Sequence, residues 1–335
     1  MTYTKTNPKQ IKSALTKKAT AFAVIAVLTV SIFAGNLMTL QAMADTGNST
    51  TTHSAASDKQ AARQTLRQTL SQDQTTYKQA VQSAYLAYHQ AVQTAQLAHK
   101  QAIQDANSAF KTAEQNARDA YKNAVSGGKG NPTIVGPAMA TRDQAIAAAQ
   151  TTKVNAIVSA DVTYSKAVND ALAAHETLVY GAQATKDGND GTAQSTFYTA
   201  IGNATLATRA TTIGQAHVTE DNAILKARSD RISAVETADA AKIQAVGTAQ
   251  TAFINSEIAL KTTLDNAYTS NGKVWNAAYQ SYWSAVAPLE QTRDNTIATA
   301  NANQVTAVGS ADGARDQAID QAHAAMYGTI SAAYS

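Results

Sequence analysis

From Tyr77 to Val125 the chain reads YKQAVQSAYLA, YHQAVQTAQLA, HKQAIQDANSA, FKTAEQNARDA, YKNAV, one phrase repeated every eleven residues without a gap. Eleven residues fill three helical turns at about 3.67 residues per turn, close to the ~3.6 of an undistorted α-helix. A heptad would wind neighbouring helices into a left-handed coil, whereas this period asks for nearly straight helices lying side by side. With Tyr77 in the first place, that place holds Tyr77, Tyr88, His99, Phe110 and Tyr121. The fourth holds Ala80, Ala91, Ala102, Ala113 and Ala124, and the eighth holds Ala84, Ala95, Ala106 and Ala117. The same frame returns with Ala145-Ile146, Ala156-Ile157 and Ala167-Val168 in the fourth and fifth places, then with Ala223-Ile224, Ala234-Val235 and Ala245-Val246, and finally with Ala307-Val308 and Ala318-Ile319.

At about 100° per residue, places 1, 4, 5, 8 and 11 share a sector of about 120°. The other places carry Gln, Lys, Asp, Asn, Ser and Thr, and the pattern expects them to face water. Burying an Ala methyl gains on the order of 0.8 kcal/mol, against ~1.5–3 for Leu or Ile. No single contact of this stripe is strong, so length has to compensate. The expected fold class is all-α: elongated antiparallel helical hairpins in a coiled-coil bundle with eleven-residue repeats and an Ala-rich core.

Breaks should set the folding back. SGGKGNPTIVGP at 126–137, KDGNDG at 186–191 and TSNG at 269–272 carry the glycines, prolines and small polar residues that end helices. They predict helices near 57–126, 138–185, 192–269 and 273–334, each about 70–120 Å long. A first long hairpin would span 57–185 and a second 192–335. Pro288 should kink the last helix.

The first 44 residues read as an export signal. Lys5, Lys9, Lys12, Lys17 and Lys18 precede the apolar run AFAVIAVLTVSIFA at 21–34, and Ala42-Met43-Ala44 before Asp45 fits an A-x-A cleavage site. An uncleaved signal anchor is the rival reading. Residues 45–56, DTGNSTTTHSAA, read as a flexible polar linker. Localisation is therefore expected to be secreted or extracellular, associated with the cell surface.

The signal changes the charge argument. The whole chain is +3, but five of its 27 basic residues lie in that segment, which has no Asp or Glu. The remainder has 22 basic and 24 acidic residues, a net of −2. Nucleic-acid binding needs a basic face, and this composition leaves none. With no cysteine in the chain, disulfides, thiol chemistry and Cys-based metal sites are excluded as well.

Little in the sequence resembles chemistry, and no catalytic, cofactor-binding or metal-ligating residue is expected. The histidines do not pair at i, i+3 or i, i+4 as a helical metal site requires; His99 and His175 take the first place of their units and read as seam-edge residues. Arg142, Lys153, Arg209, Arg231, Lys242, Arg293 and Arg315 also take that place. Their stems should cover the Ala stripe while the charged heads reach water or a carboxylate; a row of cations capturing an anionic polymer is the functional alternative. KDGNDGT begins like a calcium loop but has Thr192 where glycine belongs and Tyr198 where the bidentate Glu belongs. The densest aromatic group is Trp275, Tyr279, Tyr282 and Trp283. It reads either as a partner-binding spot or as the plug where hairpin ends pack, with Trp283 the residue expected at the surface.

By signal and Ala-rich helices the chain resembles, in architecture alone, Gram-positive exported coiled-coil surface proteins. The expected function is a non-enzymatic extracellular spacer, adhesion or structural protein that presents long helix faces. Expected partners are further copies of itself through the Ala stripes, and a cell-wall polymer or host surface; a membrane enters only if the signal is retained. Eleven-residue repeats also occur in apolipoprotein-like lipid binders and in helical antifreeze proteins. An amphipathic helical protein lying on lipid surfaces is therefore the alternative; lipid binders of that kind present bulkier apolar faces than this one.

Overall fold

A computed structural model describes residues 52–128, 130–267 and 273–335. The expected signal 1–44 and the linker up to residue 51 lie outside the described residues, as do the side chains of 52–55 and 273–275. The described chain is all-α. Four helices follow one another: α1 (Thr52–Val125), α2 (Pro132–Ala200), α3 (Ala204–Asn266) and α4 (Lys273–Tyr334). Residues Ser57–Ser335 form one packed unit. Among the described residues, no helix is long and apolar enough to cross a membrane.

Several expected ends move. Helix α1 begins at Thr52, so residues 52–56 belong to the helix rather than to the linker. Helix α2 begins at Pro132, not at 138, because Asn131 caps it: its side chain accepts from the Thr133 amide at 3.0 Å, and Pro132 fills the first turn, where an amide hydrogen is unneeded. Pro137 and Pro288 both lie inside helices. Each costs one i→i−4 bond, but the carbonyls freed belong to Thr133 and Ser284, both exposed, where water replaces the lost donor.

The larger correction concerns 186–191. Helix α2 runs through KDGNDG without a break. Lys186 bonds Asp190 at 2.5 Å one turn ahead, an i, i+4 pair that supports the helix. Gly191 meets Gly214 of α3, and a Cβ on Gly191 would stand 2.8 Å from the Gly214 Cα. That glycine serves close approach of two helices. The chain reverses instead at Ile201-Gly202-Asn203. Gly202 takes φ +78°, its amide bonds Thr199 O at 3.0 Å, and the Asn203 amide bonds Tyr198 O at 2.8 Å, a Schellman stop. The Asn203 side chain then caps α3 through the Leu206 amide. The boundary between the hairpins thus falls at 201–203. Helix α3 ends at Asn266 rather than 269, and TSNG itself lies outside the described residues.

Consecutive helices pack antiparallel. Down α1 and up α2, Tyr121 meets Arg142, Phe110 meets Lys153, His99 meets Tyr164 and Tyr88 meets His175. Between α3 and α4, Phe253 meets Arg293, Lys242 meets Gln304, Arg231 meets Asp312 and Glu220 meets His323. Buried behind these contacts are Ala84, Ala106 and Ala117 of α1, Ala160 and Ala171 of α2, Ala216, Ala227, Ala238 and Ala249 of α3, and Ala300 and Ala322 of α4.

Helices α2 and α3 meet through different residues. Val158 lies against Gly247 and Gly191 against Gly214, Ser165 bonds Asp239, Arg228 pairs with Glu176, and Lys261 pairs with Asp143 at 2.7 Å. These include places 2 and 6 of the eleven-residue unit, which the sequence pattern assigns to water. A stripe of about 120° serves one neighbour, and an inner helix has two. The second face is therefore lined with small and charged residues, packed rather than solvated.

Candidate functional site

The aromatic group in the first turns of α4 divides into a buried half and an exposed half. Tyr282 is 8% exposed and forms a small core with Leu264 and Val286, against which Phe253, Leu260 and Ala278 pack. Its hydroxyl donates to Glu257 Oε1 at 2.8 Å. Burial, then the bond to Glu257, pushes the phenol well above its ordinary range, so it stays neutral and keeps donating. Three residues back and one residue on, Tyr279 and Trp283 are 45% and 51% exposed. Their ring centroids stand 6.0 Å apart, edge to face, and the indole also rests at 5.3 Å on the buried Tyr282. Tyr282 is thus the plug, and it holds an outward aromatic pair in place. Trp275 falls in the first turn of α4, and its side chain lies outside the described residues.

The first-place cations each have a partner. Arg142 sits over the Tyr121 ring at 4.9 Å and bonds Asp143, while Lys153 covers Phe110 at 5.1 Å. Arg209 lies over Tyr334, and Arg293 over Phe253 with Asp294 beside it. Arg231 and Arg315 share Asp312, and Lys242 bonds Gln304. Cation–π contacts and ion pairs of this kind are each worth about 0.5–1 kcal/mol at the surface. The heads are engaged within the protein.

Histidines are brought together in ways the sequence spacing does not reveal. His323 of α4 and His217 of α3 both reach the buried Glu220, at 2.5 and 3.4 Å. His99 bonds Asp161 at 2.6 Å and stacks on Tyr164. Among the described residues, no group of three or more His, Asp or Glu is placed to hold a metal ion.

Two carboxyl pairs between α2 and α3 were also missed. Asp143 and Asp265 lie in hydrogen-bonding reach of each other, 5% and 2% exposed. Asp187 and Asp221 do the same forty-four residues along, four units of eleven, with Asp221 7% exposed. Burial, then the charge of Asp143, pushes Asp265 up to about 6; burial, then Asp187 and Glu220, pushes Asp221 up to about 7. Asp143 is held below the usual carboxylate range: burial opposes its charge, but the bonds to Arg142 and Lys261 prevail. The only sequence signal was an aspartate in the second place of these units, which reads as a solvated face until the partner helix is known.

Two concavities among the described residues are shallow. One is a groove along α1 itself, lined by Gln64, Arg67, Gln68, Ser71, Gln72 and Thr75; another lies at the α2–α3 turn around Ser195, Thr199 and Thr208. Neither gathers a nucleophile with a base. No protein-family model matches the chain, nor does any curated protein or solved structure.

Proposed function

We propose that this is an exported, non-enzymatic extracellular protein of a Gram-positive cell surface, working as a spacer or adhesion element through long helix faces. The observation that carries the reading is the set of four helices, 62 to 74 residues each, joined by links of a few residues. At about 1.5 Å per residue such helices are on the order of 100 Å long, a form suited to holding things apart. In this reading the eleven-residue period is a packing rule. It brings first place opposite first place within each hairpin and an alanine into the eighth place of each hairpin's seam, giving an Ala-rich core in elongated antiparallel hairpins.

Contact with a wall polymer or host surface is assigned to Tyr279 and Trp283, rigid rings that gain contact area at low entropic cost. Self-association through helix stripes is assigned to α1 and α4, the first and last of the four helices. The test is to separate producing cells into medium, wall and membrane and to weigh the intact protein. A chain beginning at Asp45 in medium or wall supports the proposal; a full-length chain in the cytosol overturns it, and one in the membrane makes the protein a tethered stalk. Binding of the purified chain to isolated walls should fall at least tenfold in the Tyr279→Ala, Trp283→Ala variant. Equal binding sinks the assignment of those two residues.

A further inference from the structure

The two carboxyl pairs stand in one register. Asp143 and Asp187 of α2 are four repeat units apart, and their partners Asp265 and Asp221 are four units apart in the opposite direction along α3. Where the two hairpins join, Asp143, Asp265 and Asp221 are buried and Asp187 is half-buried. Carboxylates accept hydrogen bonds and cannot donate them, so two that face each other repel unless one carries a proton. Asp265 Oδ2 and Asp221 Oδ2 are enclosed and have no donor from any other group. A hydrogen on one carboxyl of each pair supplies that donor and removes the repulsion in one step.

The surroundings decide which member keeps the proton. Around the first pair, Arg142 bonds Asp143 from α2, Lys261 pairs with it from α3, and Tyr121 of α1 lies under the Arg142 head. Both cations favour charge on Asp143, and Asp265 is left to hold the proton. From α4, Tyr282 faces the same region with its hydroxyl already given to Glu257. Around the second pair, Lys186 bonds Asp190 and Asp187 on α2, and Glu220 adds like charge beside Asp221 on α3. Helix α1 contributes Asp73 and Tyr77, and α4 contributes His323, which, with His217 of α3, binds Glu220. Tyr180 of α2 and Arg228 of α3 complete the layer.

We propose that Asp143–Asp265 and Asp187–Asp221 are proton-sharing clasps that make the joint between the two hairpins pH-sensitive, firm in mildly acid medium and weakened above neutrality. An acid that titrates higher in the folded chain than in the unfolded one binds more protons when folded. Its stabilisation is full below the unfolded value near 3.8 and is lost as pH rises through about 6 for Asp265 and about 7 for Asp221. Asp143 works in the opposite sense, and its contribution disappears only as pH falls below the ordinary carboxylate range. The window from pH 5 to 8 therefore leaves Asp143 out of the reading.

The experiment is thermal unfolding of the full chain, followed by circular dichroism at pH 5, 6, 7 and 8, for the wild type and for the Asp221→Asn, Asp265→Asn variant. Asn imitates the neutral acid and still donates to Asp187 and Asp143. The wild type should lose roughly 5 °C or more of melting temperature between pH 5 and pH 8. The variant should lose less than half as much and melt above the wild type at pH 8. The histidines on Glu220 stay in both proteins, so the difference in slope belongs to the aspartates. A flat wild-type profile, or a variant with the wild-type slope, overturns the proposal. Should the variant fail to fold, infrared absorption of the wild type at pH 6 decides: a neutral-carboxyl band in the folded chain supports the clasps, and its absence overturns them.

Discussion

The seam between α1 and α2 and the seam between α2 and α3 share one helix yet are built of different material. In the first, rings and long cations stand opposite each other: Tyr121 under Arg142, Phe110 under Lys153, His99 beside Tyr164. In the second, Gly191 meets Gly214 so closely that no Cβ fits between them, and aspartates face one another. Long flexible side chains tolerate error in spacing, because an arginine head can slide over a ring. Backbone against backbone tolerates none, and a buried carboxyl pair needs a proton in place. The first seam is therefore forgiving, and the second carries the specificity for how the hairpins join.

That contrast can be broken by mutation, beginning where the effect should be largest. Gly191→Val forces a branched side chain against the Gly214 backbone and should cost about 3 kcal/mol, read from the urea midpoint. A loss under ~1 kcal/mol would mean the helices part easily there, and the seam is not tight. Phe110→Ala removes a half-buried ring from the forgiving seam and should cost about 1.5 kcal/mol, below the ~3–5 typical of a full core position. Gly181→Ala, on the same helix as Gly191 but with nothing within 4 Å of its added methyl, should raise stability by about 0.5–1 kcal/mol. The two glycine replacements in α2 thus have opposite expected signs, and agreement in sign would defeat the comparison. Lys153→Met keeps the stem over Phe110 and loses the charge, for a cost of about 0.5 kcal/mol that added salt should not change much.

The all-α class and the presence of long helices were legible in the sequence, since an uninterrupted period near 3.6 admits no strand reading. The exposure of Trp283 was legible as well, from its place just outside the apolar sector. The turn at 201–203 was not. KDGNDG at 186–191 shows two glycines and two aspartates, stronger breaker chemistry than the single Gly202, yet Gly191 lies inside a helix because Gly214 stands opposite it. Lys186 and its neighbouring acids form i, i+4 and adjacent pairs that a turn would have dispersed. Glu220 with its two histidines was equally hidden, for His217 and His323 are more than a hundred residues apart and share a partner only through the α3–α4 register.

By itself the sequence determined that this chain forms helices, where their apolar stripe runs, and that cysteine takes no part. These are local properties, set by spacing along a single chain and by composition. The tertiary structure alone decided which glycines end a helix and which join two, which cations find rings, and which aspartates meet in pairs. The reason is physical: a helix carries its own period, but a close approach or a shared proton belongs to two helices at once.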